Sequence, residues 1–78
     1  MPLIQIKGIS GVMNDKKKQE LFEKITEVFV SVGGEGLRSV TTVLLEEVPS
    51  GNWAVGGKSI TTECVKNMIA NPTATCTS

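Results

Sequence analysis

The chain has 78 residues, eight basic and eight acidic side chains and a formal net charge of zero, with no His and no Tyr. That length holds one domain at most. The charge balance argues against nucleic acid, which asks for a basic face, and no apolar run approaches the roughly 18 residues of a membrane span.

A domain of this size buries only about 60% of the surface its unfolded chain exposes. Small scaffolds usually add a disulfide, a metal or oligomerisation. Cys64 and Cys76 are the two cysteines. They do not read as a disulfide framework, because Cys76 falls in the polar stretch from Asn71 to Ser78, expected to be a disordered tail. Without His or a Cys-x-x-Cys pair, zinc is not expected either. Assembly of copies remains, so a homo-oligomer is expected. The N-terminus lacks the basic and apolar regions of a signal peptide, and the expected location is the cytoplasm.

Pro2 follows Met1 and leads into the chain's first strand. Residues Leu3 to Lys7 alternate, with Ile4 and Ile6 on one side and Leu3, Gln5 and Lys7 on the other, which is strand periodicity. If Met1 is removed, the ring nitrogen of Pro2 becomes a secondary amine. An α-amino group titrates near 7.7–8.0, and an apolar pocket or a nearby cation lowers that value. Such a nitrogen can be neutral at physiological pH and can move protons on a substrate. No side chain in this sequence offers the same as readily.

Gly8, Ser10 and Gly11 break the strand. Asn14 then reads as a helix N-cap, with Asp15 in the first turn where negative charge suits the helix dipole. Leu21, Phe22, Ile25, Val28, Phe29 and Val32 recur at helical spacing, an apolar stripe of about five turns. The Lys16-Lys17-Lys18 run reads as solvated first turns. Gly33-Gly34 ends the helix. A loop with Glu35, Gly36, Leu37 and Arg38 follows.

Val40 to Val48 reads as the second strand. Its centre, Val43-Leu44-Leu45, is apolar on both sides, as in a strand covered twice. Strand, long helix, strand is a βαβ unit with parallel strands and a right-handed crossover. Pro49 to Asn52 is a turn. Trp53-Ala54-Val55 and Gly56-Gly57 read as a short hairpin-like segment, not an independent strand pair. Ser59 is expected to cap a short second helix with a stripe of Ile60, Cys64, Val65 and Met68. No internal repeat is visible. One helix covers one side of a two-stranded sheet, and the other side is left for a neighbouring subunit. The expected domain spans residues 1–70.

Three features together carry a resemblance. They are Pro2 before a strand, the βαβ unit, and Asn52-Trp53-Ala54-Val55-Gly56-Gly57-Lys58-Ser59 after the second strand. The chain resembles the tautomerase superfamily, specifically its small 4-oxalocrotonate tautomerase-like subunits, over roughly residues 2 to 62. The resemblance implies an α/β (α+β) subunit: a two-stranded parallel sheet, a long helix, a short C-terminal hairpin and a short helix. It implies dimers of such subunits, three of them forming a homo-hexamer. It also implies an isomerase without cofactor or metal, moving a proton between carbons of a small enol or unsaturated keto acid.

Carried over residue by residue, Pro2 matches the catalytic general base and acid. Trp53 matches the active-site aromatic, whose apolar wall would keep the amine neutral. As a plain hydrophobic anchor at a subunit interface it would look the same. The family's two substrate-binding arginines have no counterpart, since Val12 stands at the first position and Thr41 or Thr42 at the second. Arg38 is the sole arginine, a few residues before the second position. Arg38, Lys7 and Lys58 are the cations that could replace the clamp, against the simpler reading of each as surface charge. Thr42 could orient a substrate oxygen. A charged hydrogen bond contributes about 1.5–3 kcal/mol, so losing two clamps would slow turnover of a diacid by about 10²–10⁴. The substrate expected is therefore a small carbonyl acid or enol with little charge, such as a phenylpyruvate-like enol. Two alternatives stand beside this reading. One is a proline-dependent hydratase, dehalogenase or decarboxylase. The other is a non-catalytic subunit, or one that borrows its clamps from an arginine-bearing sister chain.

Overall fold

Strand β1 runs from Leu3 to Ile9, helix α1 from Asp15 to Gly33, and a 3₁₀ helix from Glu35 to Val40. Strand β2 covers Thr42–Val48, β3 Trp53–Val55, β4 Lys58–Ile60, and helix α2 Thr62–Ala70. The computed structural model describes residues 1–74; the end of the expected tail, residues 75–78, lies outside them. β1 pairs with β2 in one sheet and β3 with β4 in another. The described residues form two compact units. One comprises Met1–Ile6 and Met13–Glu46; the other comprises Lys7–Val12 and the residues from Glu47 on.

In the first unit, β1 alternates as its sequence dictates: Ile4 and Ile6 are half-buried, Leu3 and Gln5 exposed. The Thr42 amide donates to the Pro2 carbonyl at 3.0 Å and opens the pairing with β2. Helix α1 starts where Asn14 predicts. The Asn14 side chain accepts from the Lys17 amide at 2.8 Å, and Asp15 occupies the first turn. The helix ends at Gly34, whose φ of 106° suits a residue without a Cβ. Its N–H donates to the Val30 carbonyl at 2.9 Å.

The covered stripe of α1 is turned from the expected one. Leu21, Phe22, Ile25 and Phe29 are half-buried and Val30 is buried, 7% exposed, while Val28 and Val32 face solvent. Phe22, Ile25 and Phe29 define the centre of that stripe; Val28 lies off it on one flank and Val30 closes the other, while Val32, in the last turn of the helix, is exposed although its spacing puts it between Leu21 and Ile25. Apolar spacing alone had not separated the two flanks.

The stretch after α1 is a 3₁₀ helix, not an open loop, and it shortens the second strand. Leu37 N–H bonds to the Gly34 carbonyl at 3.2 Å. The Thr41 hydroxyl donates to the Leu37 carbonyl at 2.7 Å. Val40 is thereby held in the 3₁₀ turn, and β2 starts at Thr42. Val43 and Leu45 are half-buried, but Leu44 is exposed. The strand is covered on one side within the chain, where apolar residues on both faces had suggested two.

In the second unit, Ser10 N–H donates to the Val48 carbonyl at 2.8 Å. The rungs thus advance in the same sense along both strands, as the parallel sheet requires. β3 and β4 are antiparallel, with Trp53 opposite Ile60, Ala54 opposite Ser59 and Val55 opposite Lys58. Gly56 and Gly57 have φ of 58° and 81°. Two central residues at positive φ give the primed turn whose twist matches paired strands. The segment is therefore the short hairpin that the resemblance implies, and its two strands are fully paired, where the residues alone had suggested a hairpin-like segment without an independent strand pair. Ser59 belongs to β4 and cannot cap the helix. Its hydroxyl donates to the Gly51 carbonyl at 3.0 Å. The cap is Thr61, which accepts from the Cys64 amide at 3.2 Å.

The start of α2 is fastened to two turns. Thr62 N–H donates to Ser50 Oγ at 2.9 Å, and Thr62 Oγ1 donates to the Ser10 carbonyl at 2.6 Å. Beside it, a Cβ on Gly11 would stand 3.0 Å from the Thr62 methyl, and Gly11 has φ of 85°. A left-handed backbone costs an ordinary residue roughly 1–2 kcal/mol. Gly11→Ala is therefore expected to destabilise the protein by about 2 kcal/mol, read as a lower urea midpoint with an unchanged slope. Cys64 lies in α2 and is half-buried. Cys76, the other cysteine in the sequence, lies outside the described residues.

Candidate active site

Pro2 sits immediately before β1 and is half-buried, whereas Met1 ahead of it is 93% exposed. Proline has no backbone N–H, so its carbonyl is its one anchoring group. That carbonyl is taken by Thr42 N–H. The contact fixes the residue through its C-terminal side and leaves the ring nitrogen outside the ladder. Pro2 and Thr42 are the two predicted site residues that the fold brings into direct contact.

Arg38 is differently placed. It lies in the 3₁₀ helix and is held by two carboxylates. Its Nε donates to Glu35 Oε1 at 2.6 Å and its Nη2 to Glu35 Oε2 at 3.1 Å. Its Nη1 donates to Glu27 Oε1, and Nη2 reaches Glu27 Oε2 at 3.2 Å. Hydrogen bonds donated to Glu35 and then Glu27 push the Arg38 guanidinium further toward its charged form. In return, the hydrogen bond from Arg38 holds both carboxyls below the usual glutamate range.

Thr41, the other candidate for the second clamp position, has its hydroxyl committed to Leu37. Lys7 is exposed on β1, and Lys58 is exposed on β4 opposite Val55. Trp53 opens β3 opposite Ile60 and is half-buried. Lys7, Trp53 and Lys58 belong to the second unit. Val12 also belongs there and is half-buried. A shallow depression on α1 is lined by Met13, Lys17, Glu20, Leu21 and Lys24, and includes none of the predicted site residues.

The glutamates around Arg38 escaped the sequence reading. Glu35 was within reach of it, because residues three apart on a helical turn are neighbours. Glu27 lies eleven positions away across the end of α1, and no local spacing points to it.

The model of the tautomerase enzyme family matches residues 2–63. A probable tautomerase of Helicobacter pylori is 36% identical over 62 residues, which cover 77% of this chain and 90% of that protein. Among solved structures, DmpI from Archaeoglobus fulgidus is 35% identical with a TM-score of 0.66, covering 76% of this chain and 97% of that one. TomN, a 4-oxalocrotonate tautomerase homologue of the tomaymycin biosynthetic pathway, is 28% identical with a TM-score of 0.67. Its match covers 91% of this chain and 98% of that one. The chain belongs to the tautomerase family, as a 4-oxalocrotonate tautomerase-like member.

Proposed function

We propose that the protein is a cofactor-independent isomerase in which the Pro2 amine, exposed by loss of Met1, acts first as general base and then as general acid. The amine takes a proton from the oxygen or carbon of a small enol or unsaturated keto acid. It returns the proton to another carbon of the same molecule, so that no atom is gained or lost. The observation that carries this reading is the half-buried Pro2 at the mouth of β1, its carbonyl held by Thr42 and its nitrogen outside the ladder. The family match, which begins at residue 2, supports it.

The substrate proposed is a monoacid or neutral carbonyl compound, with phenylpyruvate enol as the first probe. Val12 and Thr41 or Thr42 stand where an arginine clamp would hold a dicarboxylate, and neither residue type offers a charged fork. Trp53 is the proposed apolar wall, with Thr42 and Lys7 as the groups that could meet a substrate oxygen. The working form proposed is a cytoplasmic homo-hexamer built as a trimer of dimers. The membrane plays no part in this reading; among the described residues no helix is long and apolar enough to cross one.

The test separates two forms of the same chain. Protein whose intact mass shows Met1 removed is expected to ketonise phenylpyruvate enol. Protein that keeps Met1 is expected to lose at least about 10² of that rate, because an amide nitrogen is no base. Equal rates in the two forms would reject the reading.

A further inference from the structure

We propose that Arg38 is a positioning residue for the amino-terminal proline, not a substrate anchor: its clasp on Glu27 and Glu35 fixes the 3₁₀ helix and so sets where β2 begins and where Thr42 grips Pro2. The proposal rests on the reading of Pro2 as the acid/base group.

Arg38 has no edge to spare. A guanidinium recognises a carboxylate through one of its paired N–H edges. Here the Nε and Nη2 edge takes Glu35, and the Nη1 and Nη2 edge takes Glu27. A substrate carboxylate would have to displace one of these. The internal partners act at an effective concentration of order millimolar, at the upper end of ordinary KM values. One positive and two negative charges also leave the cluster net negative, which repels an acid.

The same contacts join the elements that lead to Pro2. Glu27 is in α1, Glu35 opens the 3₁₀ helix, and Arg38 follows one turn later. A 3₁₀ run of six residues is long for its kind, since runs beyond about three or four are uncommon. It needs outside support. The clasp supplies that support on one side, and the Thr41 hydroxyl on the Leu37 carbonyl closes its far end. The next residue is Thr42, whose amide holds the Pro2 carbonyl. All of these residues lie in one compact unit. Both carboxyls are held below the usual glutamate range by Arg38. The clasp is therefore complete at neutral pH and is lost only on acidification below the usual glutamate range. It does not titrate in the range where the proline amine does.

The test uses Arg38→Gln, Arg38→Lys and the double variant Glu27→Gln with Glu35→Gln, each with Met1 removed. Two readouts are taken: hydrogen exchange of the Thr42 amide by NMR, and kinetics on phenylpyruvate enol and on the enol of its methyl ester. Arg38→Gln and the double variant are both expected to speed Thr42 exchange by about tenfold or more relative to the amides of Val43 to Leu45. Both are expected to lower kcat for acid and ester alike, between about fivefold and a hundredfold, with KM little changed. Arg38→Lys should recover part of each effect. Unchanged Thr42 exchange in Arg38→Gln overturns the proposal. So does a rise in KM for the acid alone, or tighter binding of the acid by the double variant, since either marks Arg38 as a substrate anchor. If the parent protein turns over neither enol, the reading of Pro2 has failed, and the exchange of Thr42 still decides whether Arg38 governs that contact.

Discussion

Pro2→Ala lowers ketonisation of phenylpyruvate enol by about 10²–10⁴, the range that a positioned acid/base group contributes. The expected loss lies in kcat more than in KM, because the proton transfer is made only in the transition state. Alanine is a demanding control. Once Met1 is removed it still presents an amine, and its carbonyl can still receive the Thr42 amide that holds Pro2. What changes is the ring. Proline fixes φ near −65° and thus the direction of its nitrogen, and it leaves a secondary amine with fewer ways to turn. The pH profile gives the second half of the result. A base that must be neutral produces an activity that rises with pH through its pKa, and an apolar setting places that pKa below the 7.7–8.0 of an ordinary α-amine. In the alanine form the rising limb should fade with the rate. A rate within threefold or so of the parent would remove Pro2 from the mechanism while leaving the family membership intact.

Ile60→Ala is expected to be the most damaging single change to stability. Among the described residues, Ile60 and Val30 are the two buried hydrophobic ones, each 7% exposed. Ile60 also carries the structure of the hairpin: it stands opposite Trp53, and its carbonyl accepts the Gly51 amide at 3.1 Å. Truncation of a buried isoleucine to alanine costs about 2–5 kcal/mol. A domain this small has only about 5–10 kcal/mol in all. At about 4–8 °C per kcal/mol, the melting temperature should fall by roughly 8–40 °C. Ile60→Val, which removes one methyl group, should lie between at about 1 kcal/mol. A melting temperature for the alanine form within a few degrees of the parent would show that the hairpin is held by something other than this side chain.

What the sequence disclosed follows the range over which its signals act. The alternation from Leu3 to Lys7, the cap at Asn14 and the stop at Gly34 are local, and the structure has all three. The Gly56-Gly57 pair pointed to a turn, yet its φ values make it a stronger one than expected, able to support two strands. Ser59 and Thr61 are both reasonable caps by composition, and only the pairing of Ser59 with Ala54 decides between them. Thr41 and Thr42 could not be separated by residue type either. Their roles diverge because one hydroxyl closes the 3₁₀ turn while the next amide opens the ladder. The ion pairs of Arg38 were the least legible part of the candidate site, since one partner is near in sequence and the other is brought in by the end of a five-turn helix.

The uncovered side of the main sheet has a thermodynamic consequence. Leu3 and Leu44 are turned to water, and among the described residues few side chains are deeply buried. If copies of the chain cover that side, folding and association become one equilibrium, and mass action governs both. Resistance to heat would then grow with protein concentration, and dilution to the nanomolar range would weaken the protein without any chemical change to it.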